Sequence, residues 1–424
     1  MFPIKNQTHS RRRGLSLVEV MIAMVMTLIV LGAMMAAFGY GSREMQKGRA
    51  SIELNNRLIT AEEQLRRDLD RITVELKPYH QLPGTPSGYV EIIDGPSVDG
   101  ATLAASVVTT LGGVTPGSTG SVFGDLDDYI SFTVRSDGRP FRGRLNNTII
   151  ESHLAEIVWM VLPDTTTIAD DDFVLIRRQL LILPASNTVG TANDTGELAE
   201  FLAQNDISVR LSGADLVANS LADLAIRGNR FAHSTATSPG ASLLNQALLT
   251  TMYNVNNFNE NHVISSSLAA FDIQVFAPDA SVRAITGGGA ITDVLEPSDI
   301  GSRNGIGSAS VISGAYLDLG NGDTAGTPGV LGSTAAGGYV NGVYDTGTSF
   351  YNRIGANNRG SNAVDDPPLS GGAADGVADD VGEQLARAPY NAPIRGLKFT
   401  MRAIEPNSKQ VRQLTVTKSF VPES

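Results

Sequence analysis

The chain begins with two contrasting blocks. Lys5, Arg11, Arg12 and Arg13 stand in the first 14 residues without an acid among them, and the 19 residues from Val20 to Phe38 carry no charge at all. As a helix, at about 1.5 Å per residue, that run would span about 28 Å, close to the roughly 30 Å hydrocarbon core of a bilayer. The pattern predicts a spanning helix whose basic flank stays cytoplasmic and whose C-terminal bulk lies outside. Apolar residues then recur at Leu54, Leu58, Ala61, Leu65, Leu69 and Ile72, a helical spacing. Arg57, Glu62, Glu63, Arg66, Arg67, Asp68, Asp70 and Arg71 are assigned to the other faces, so this second half reads as amphipathic. Gly39 and Gly41 are where the helix is expected to bend or loosen, and Pro78 is where it is expected to stop.

Beyond Pro78 the period shortens to two. Ile130, Phe132 and Val134 alternate with Ser131, Thr133 and Arg135; Phe271, Ile273 and Val275 alternate with Asp272 and Gln274. Leu397, Phe399, Met401 and Ala403 predict a late strand, Glu405 to Ser408 a turn, and Leu414, Val416 and Phe420 the returning strand. The denser runs Ile157–Leu162 and Val174–Leu183 read as strands buried on both faces. Helical spacing returns at Glu197–Ala203 and Ala214–Ile226. The expected fold class is α+β: a long N-terminal helix packed on a mainly antiparallel β-sheet head. The expected divisions are a leader over 1–14, the helix over 15–77 and the head over 78–424. Residues 287–376, rich in Gly, Ser, Thr and Asn, read as a flexible insertion.

Composition narrows the function. With 424 residues, 42% of them hydrophobic, the chain can bury a substantial core. Outside the leader it holds 28 basic and 44 acidic residues, a balance that argues against nucleic acid as a partner. It has no cysteine, which excludes disulfides and thiolate chemistry. His9, His80, His153, His233 and His262 are scattered without metal-ligand spacing, and neither a phosphate-binding Gly-Lys-Ser/Thr loop nor a Gly-x-Ser-x-Gly elbow occurs. The runs Asp127-Asp128 and Asp170-Asp171-Asp172 read as solvated surface. No enzyme is expected. Asp375, Asp379, Asp380 and Glu383, following Asp365-Asp366 in a glycine-bearing stretch, offer oxygen ligands that suit calcium, with a solvated acidic loop as the alternative.

Arg11-Arg12-Arg13-Gly14-Leu15-Ser16-Leu17-Val18-Glu19 resembles the processing site of type IV prepilins and type II secretion pseudopilins. The elements are a basic leader, a glycine, an apolar first mature residue and a glutamate as fifth mature residue. The resemblance implies cleavage between Gly14 and Leu15 by prepilin peptidase and N-methylation of Leu15. It also implies assembly with other pilins or pseudopilins through the helix. Leu15 departs from the family's usual phenylalanine or methionine. Glu19 adds a physical argument, because an acid in a spanning segment costs about 2.5–3.5 kcal/mol even on lenient scales. In the family such a glutamate faces the new N-terminal amine of a neighbour, which pairs Glu19 with the Leu15 amine and offsets both buried charges. Some pseudopilins hold a loop with calcium, which favours the metal reading of the acidic stretch. The closing hairpin and the strands near residues 130 and 176 loosely resemble the larger minor components, pseudopilin J and minor pilin W. The expected function is a minor pilin or pseudopilin rooted in the inner membrane, serving as an initiating, tip or regulatory subunit. The alternative is an unprocessed, membrane-anchored extracytoplasmic adhesin or enzyme.

Overall fold

The computed structural model describes residues 16–76, 87–93, 126, 128–163, 173–225, 227–233, 244–253, 262–287, 290–295, 308–319, 343–346, 394–405 and 410–420. The chain divides into two units, residues 1–53 and 54–424. Helix α1 (Leu17–Leu69) runs without interruption through Gly39 and Gly41. A lone glycine costs a helix only about 1 kcal/mol relative to alanine, too little to break so long a ladder.

After α1 come β1 (Val90–Ile93), β2 (Tyr129–Arg135), the hairpin β3 (Phe141–Leu145) and β4 (Thr148–Ser152), β5 (Leu154–Pro163) and β6 (Phe173–Leu181). A middle stretch adds β7 (Thr188–Thr191), α2 (Thr195–Gln204), β8 (Val209–Ser212), β9 (Asp215–Ala218), α3 (Gln246–Met252) and β10 (Val263–Ser265). The remainder is β11 (Leu268–Gly287), β12 (Ala290–Leu295), β13 (Ser308–Leu317), β14 (Val343–Asp345), β15 (Gly396–Ile404) and β16 (Val411–Ser419). Six strands form one antiparallel sheet in the order β10-β6-β5-β2-β1-β14. A second sheet runs β12-β11-β15-β16, with β13 also paired to β11.

Period two decides which layer each strand residue meets. Val90, Ile92, Ile130, Phe132, Val134, Ile157, Trp159 and Val161 share one core with Leu54, Leu58, Ala61, Leu65 and Leu69 of α1, and with Phe271, Ile273, Leu397 and Phe399 of the second sheet. Each fully buried leucine of that helical stripe contributes roughly 1.5–3 kcal/mol by leaving water. The opposite face, with Tyr129, Val158, Met160, Leu162, Val174 and Ile176, is covered by Ala199, Leu202, Leu248, Leu249 and Met252 from α2 and α3. The six-stranded sheet is thus the middle of three layers.

Several expectations change. The helix ends at Leu69, well before Pro78. Its continuation is drawn into the sheet: Ile72 bridges Val134, Thr73 N donates to Thr133 O at 3.0 Å, and Arg135 N donates to Arg71 O at 2.9 Å. These contacts satisfy the end of β2 that β1 does not reach. Gly88 is required nearby, since it adopts φ +85° and a Cβ there would lie 2.0 Å from Thr133 Oγ1. Residues 214–226 are not a helix; β9 pairs with β8 across a turn at Gly213 (φ +68°), and a short 3-10 turn covers Asp223–Ala225. Glycine at the head of a two-residue turn favours a hairpin over the helical spacing of Leu216, Leu221 and Leu224. The stretch 287–376 contributes strands β12, β13 and β14, so part of it is built into the sheets. Ser131 and Thr133 are buried rather than facing water, because the outer layer covers them.

Candidate functional site

From Leu17 the described part of the N-terminal unit is helix, with its apolar side chains exposed as far as Phe38. Ser16 caps it: Glu19 N donates to Ser16 Oγ at 3.2 Å, and Val20 N donates to Ser16 O at 3.2 Å. Glu19 is therefore the third residue of the first turn, where a carboxylate also meets the positive end of the helix dipole. Behind it Met21, Val25, Leu28, Ile29, Met35 and Phe38 are all more than half exposed. A run of that length and apolarity is one helix suited to crossing a membrane, and its exposed surface suits lipid or neighbouring helices. Of the residues expected to act in processing, Glu19 is the described one. Lys5, Arg11, Arg12, Arg13, Gly14 and Leu15 lie outside the described residues, as do Asp365, Asp366, Asp375, Asp379, Asp380 and Glu383.

The head holds its polar chemistry inside. Asp128, expected at the surface, is 2% exposed and accepts from Ile273 N at 2.5 Å, closing the edge of β11 that faces away from β15. Burying that strand end left its N–H needing an acceptor, which a neighbouring carboxylate supplies. Asp127 and Asp170 to Asp172 lie outside the described residues.

Three buried carboxylates on the sheet's outer face fasten the outer layer. Glu91 meets Arg230 Nη1 at 3.1 Å and His233 Nε2 at 2.6 Å, while Asp345 of β14 binds the same guanidinium at 2.8 and 3.2 Å. Arg230 also lies 3.9 Å above the Tyr89 ring. Burial opposes the Arg230 charge, but Asp345 and Glu91 outweigh it and hold the guanidinium above its ordinary value. Glu156 accepts from Tyr89 Oη and Ser208 Oγ, both at 2.5 Å, and from Phe231 N at 3.0 Å. Burial first, then Glu156, raises the Tyr89 phenol well above its usual range.

Arg178 donates to Asp206 Oδ1 at 2.7 Å, to Leu202 O at 2.6 Å, to Asn205 O at 2.7 Å and to His262 Nε2 at 2.6 Å. A guanidinium only donates, so His262 Nε2 accepts and the ring is neutral. Burial and then Arg178 push that imidazole down to about 3. On the helix side, Asp68 receives Arg177 and Trp159. Each of these buried charges is thus met by a partner from another element, an arrangement that fixes the layers to one another.

These clusters were partly readable. Asp68 corrects the sequence reading: assigned to the polar faces with Arg67 and Asp70, it is 2% exposed, because it lies three residues after Leu65 and seven after Ala61, on the buried stripe. Arg177-Arg178 are neighbours in a strand buried on both faces, so one points each way and each needs an acid. The identity of the acids depends on chain separations of up to 139 residues, as between Glu91 and Arg230, which no local pattern encodes.

Residues 9–35 match the family model described as the prokaryotic N-terminal methylation motif. No curated protein and no solved structure matches the chain. The matched residues include Gly14, Leu15, Ser16 and Glu19 and reach into the apolar run, the same arrangement that the capped, outward-facing helix presents. That motif implies processing by prepilin peptidase and assembly with other pilins, and it supports a likeness of the N-terminal segment to type IV prepilins and pseudopilins.

Proposed function

We propose that the protein is a minor pilin or pseudopilin, not an enzyme. Prepilin peptidase cuts it after Gly14 and methylates the amine of Leu15, and the freed helix enters a type IV pilus or type II secretion pseudopilus. The observation that carries this reading is the methylation motif leading into a helical segment whose apolar side chains from Leu17 to Phe38 are exposed. Glu19 meets the Leu15 amine of a neighbouring subunit, and two charges that would each be costly in hydrocarbon offset one another. The basic leader keeps the N-terminus cytoplasmic and the head outside. A head of more than 300 residues favours an initiating, tip or regulatory place, since a subunit repeated along a thin filament has little room for such bulk.

Mass spectrometry of the mature N-terminus tests the reading. The expected product begins with N-methyl-leucine at position 15. An intact leader in cells with active prepilin peptidase would overturn it.

A further inference from the structure

Strand β16 ends the second sheet, and its register shows which of its backbone groups face away. Glu405 N donates to Gln410 O and Phe420 N donates to Arg395 O, both at 2.9 Å. With Ile404 opposite Val411 and Gly396 opposite Ser419, antiparallel alternation assigns Arg412, Leu414, Val416 and Lys418 to the bonds with β15. Val411, Gln413, Thr415 and Thr417 then turn their N–H and C=O groups outward. The side chains of α1 agree: Arg66 Nη1 donates to Thr417 O at 3.1 Å, capping the edge at that end. Among the described residues no backbone pairs with the edge at Gln413 or Thr415, and both residues are exposed.

The charge of this edge sets it apart from the rest of the head. Residues 78–393 hold 34 acidic and 14 basic residues and not one lysine. Residues 394–420 hold Arg395, Lys398, Arg402, Lys409, Arg412 and Lys418 against Glu405 alone. Basic side chains along an edge discourage pairing with a like strand and leave it open to one of opposite sign. Arg402 Nε donates to Gln413 Oε1 at 2.8 Å, placing one guanidinium against the outward-facing row, and Arg412 lies within the strand itself.

We propose that β16 is a docking edge for an acidic, extended segment of a neighbouring subunit, which adds to the second sheet as a further strand. Its backbone bonds Gln413 and Thr415, and its carboxylates meet Arg402, which lies opposite Gln413 on the same sheet face. Strand addition supplies affinity through main-chain bonds, while charge selects the partner and speeds encounter. This interface is in the head and does not depend on cleavage after Gly14.

The test uses the full chain in detergent micelles and a fluorescent decapeptide alternating Glu with Val, with a Lys/Val decapeptide as its control. The acidic peptide is expected to bind saturably, more weakly as salt rises, and the basic peptide at least about tenfold more weakly. Thr415→Pro removes an outward N–H that β15 does not use, so it should weaken the acidic peptide about tenfold while leaving the thermal midpoint near wild type. Should that variant unfold, Arg402→Glu takes its place and is expected to lose the preference for acid. No saturable binding, equal binding of both peptides, or undiminished binding by the folded variant would overturn the proposal.

Discussion

Asp68, in the last turn of α1, accepts both Nε and Nη2 of Arg177, at 2.6 and 2.9 Å, although its side chain is 2% exposed. Trp159 Nε1 at 3.1 Å and Gln64 Nε2 at 3.1 Å complete its coordination. One carboxylate therefore joins the helix to β5 and β6, and the bidentate fork fixes the helix's rotation as well as its position. A purely apolar stripe would hold the helix with less regard to its register.

Asp68→Ala leaves Arg177 buried without its counter-charge and Trp159 without its acceptor. The expected loss is about 3–5 kcal/mol, the range for breaking one partner of a buried pair. Denaturant unfolding of the full chain in detergent, followed by Trp159 fluorescence, measures it directly, since Trp159 is the chain's one tryptophan. Pairing Asp68→Leu with Arg177→Met should recover more than half of that loss, because the desolvation of both charges disappears together.

Arg230 holds β14 to the sheet through Asp345, and Tyr344 of β14 and Thr346 just after it add further anchors. Tyr344 Oη donates to Leu76 O at 3.0 Å, and Val90 N donates to Thr346 Oγ1 at 2.9 Å. Arg230→Met removes the cation between Glu91, which keeps His233, and Asp345, leaving two buried carboxylates side by side, and the expected result is detachment of β14 from β1. Limited proteolysis should then cut near residues 343–346 at least about tenfold faster than in wild type, while Asp345→Asn, which keeps a hydrogen-bonding group, should act more mildly. Unchanged cleavage in Arg230→Met would show that the pairing of β1 with β14 suffices.

The helix, the two-sided burial of β5 and β6, and the closing hairpin were legible because each rests on a local period that the fold preserves. The end of the helix at Leu69 was not, since nothing near Ile72 reveals that β2 has unpaired backbone waiting for it. The stretch Ala214–Ile226 reads as helix by its pattern, whereas β8 and β9 pair across the turn at Gly213, a contact with the preceding strand that the pattern within the stretch does not show. Asp128 was assigned to water because its partner, the backbone of Ile273, carries no sequence signature. At the N-terminus the methylation motif over residues 9–35 was legible, because it is a linear segment rather than a folded surface.

His262 gives the head a pH dependence of definite sign. Its folded-state value of about 3 lies below the usual 6.5, so the unfolded chain binds a proton that the folded chain refuses. Stability from this group is fully present above about pH 6.5 and is lost as pH falls towards 3, with a slope approaching 1.4 kcal/mol per unit. Asp223 acts in a lower window: hydrogen bonds from Ser220 and Ser186 overcome its burial and depress its value, so its contribution fades as pH drops below about 3.8. Thermal midpoints between pH 7.5 and 5 should therefore fall more steeply in wild type than in His262→Gln, and equal slopes would refute the assignment.

Glu19 sits at the helix cap and, in the proposed assembly, also faces a neighbour's amine, and a substitution can separate the two. Next to Ser16 it completes a Ser-x-x-Glu spacing at the start of the helix, where either a charged or a neutral acceptor would help the cap. Opposite the Leu15 amine of a neighbour, only a charge offsets the cost of a buried ammonium. Glu19→Gln preserves hydrogen-bonding capacity and shape, so if capping were its whole function the variant would assemble normally. The expected outcome is that Glu19→Gln fails in filament incorporation or N-methylation as severely as Glu19→Ala, while both are still cut after Gly14. Mass spectrometry separates the cleaved from the methylated form, and shear release of filaments measures incorporation. Normal incorporation of Glu19→Gln alongside failure of Glu19→Ala would assign the residue to the cap and remove the amine pair from the assembly mechanism.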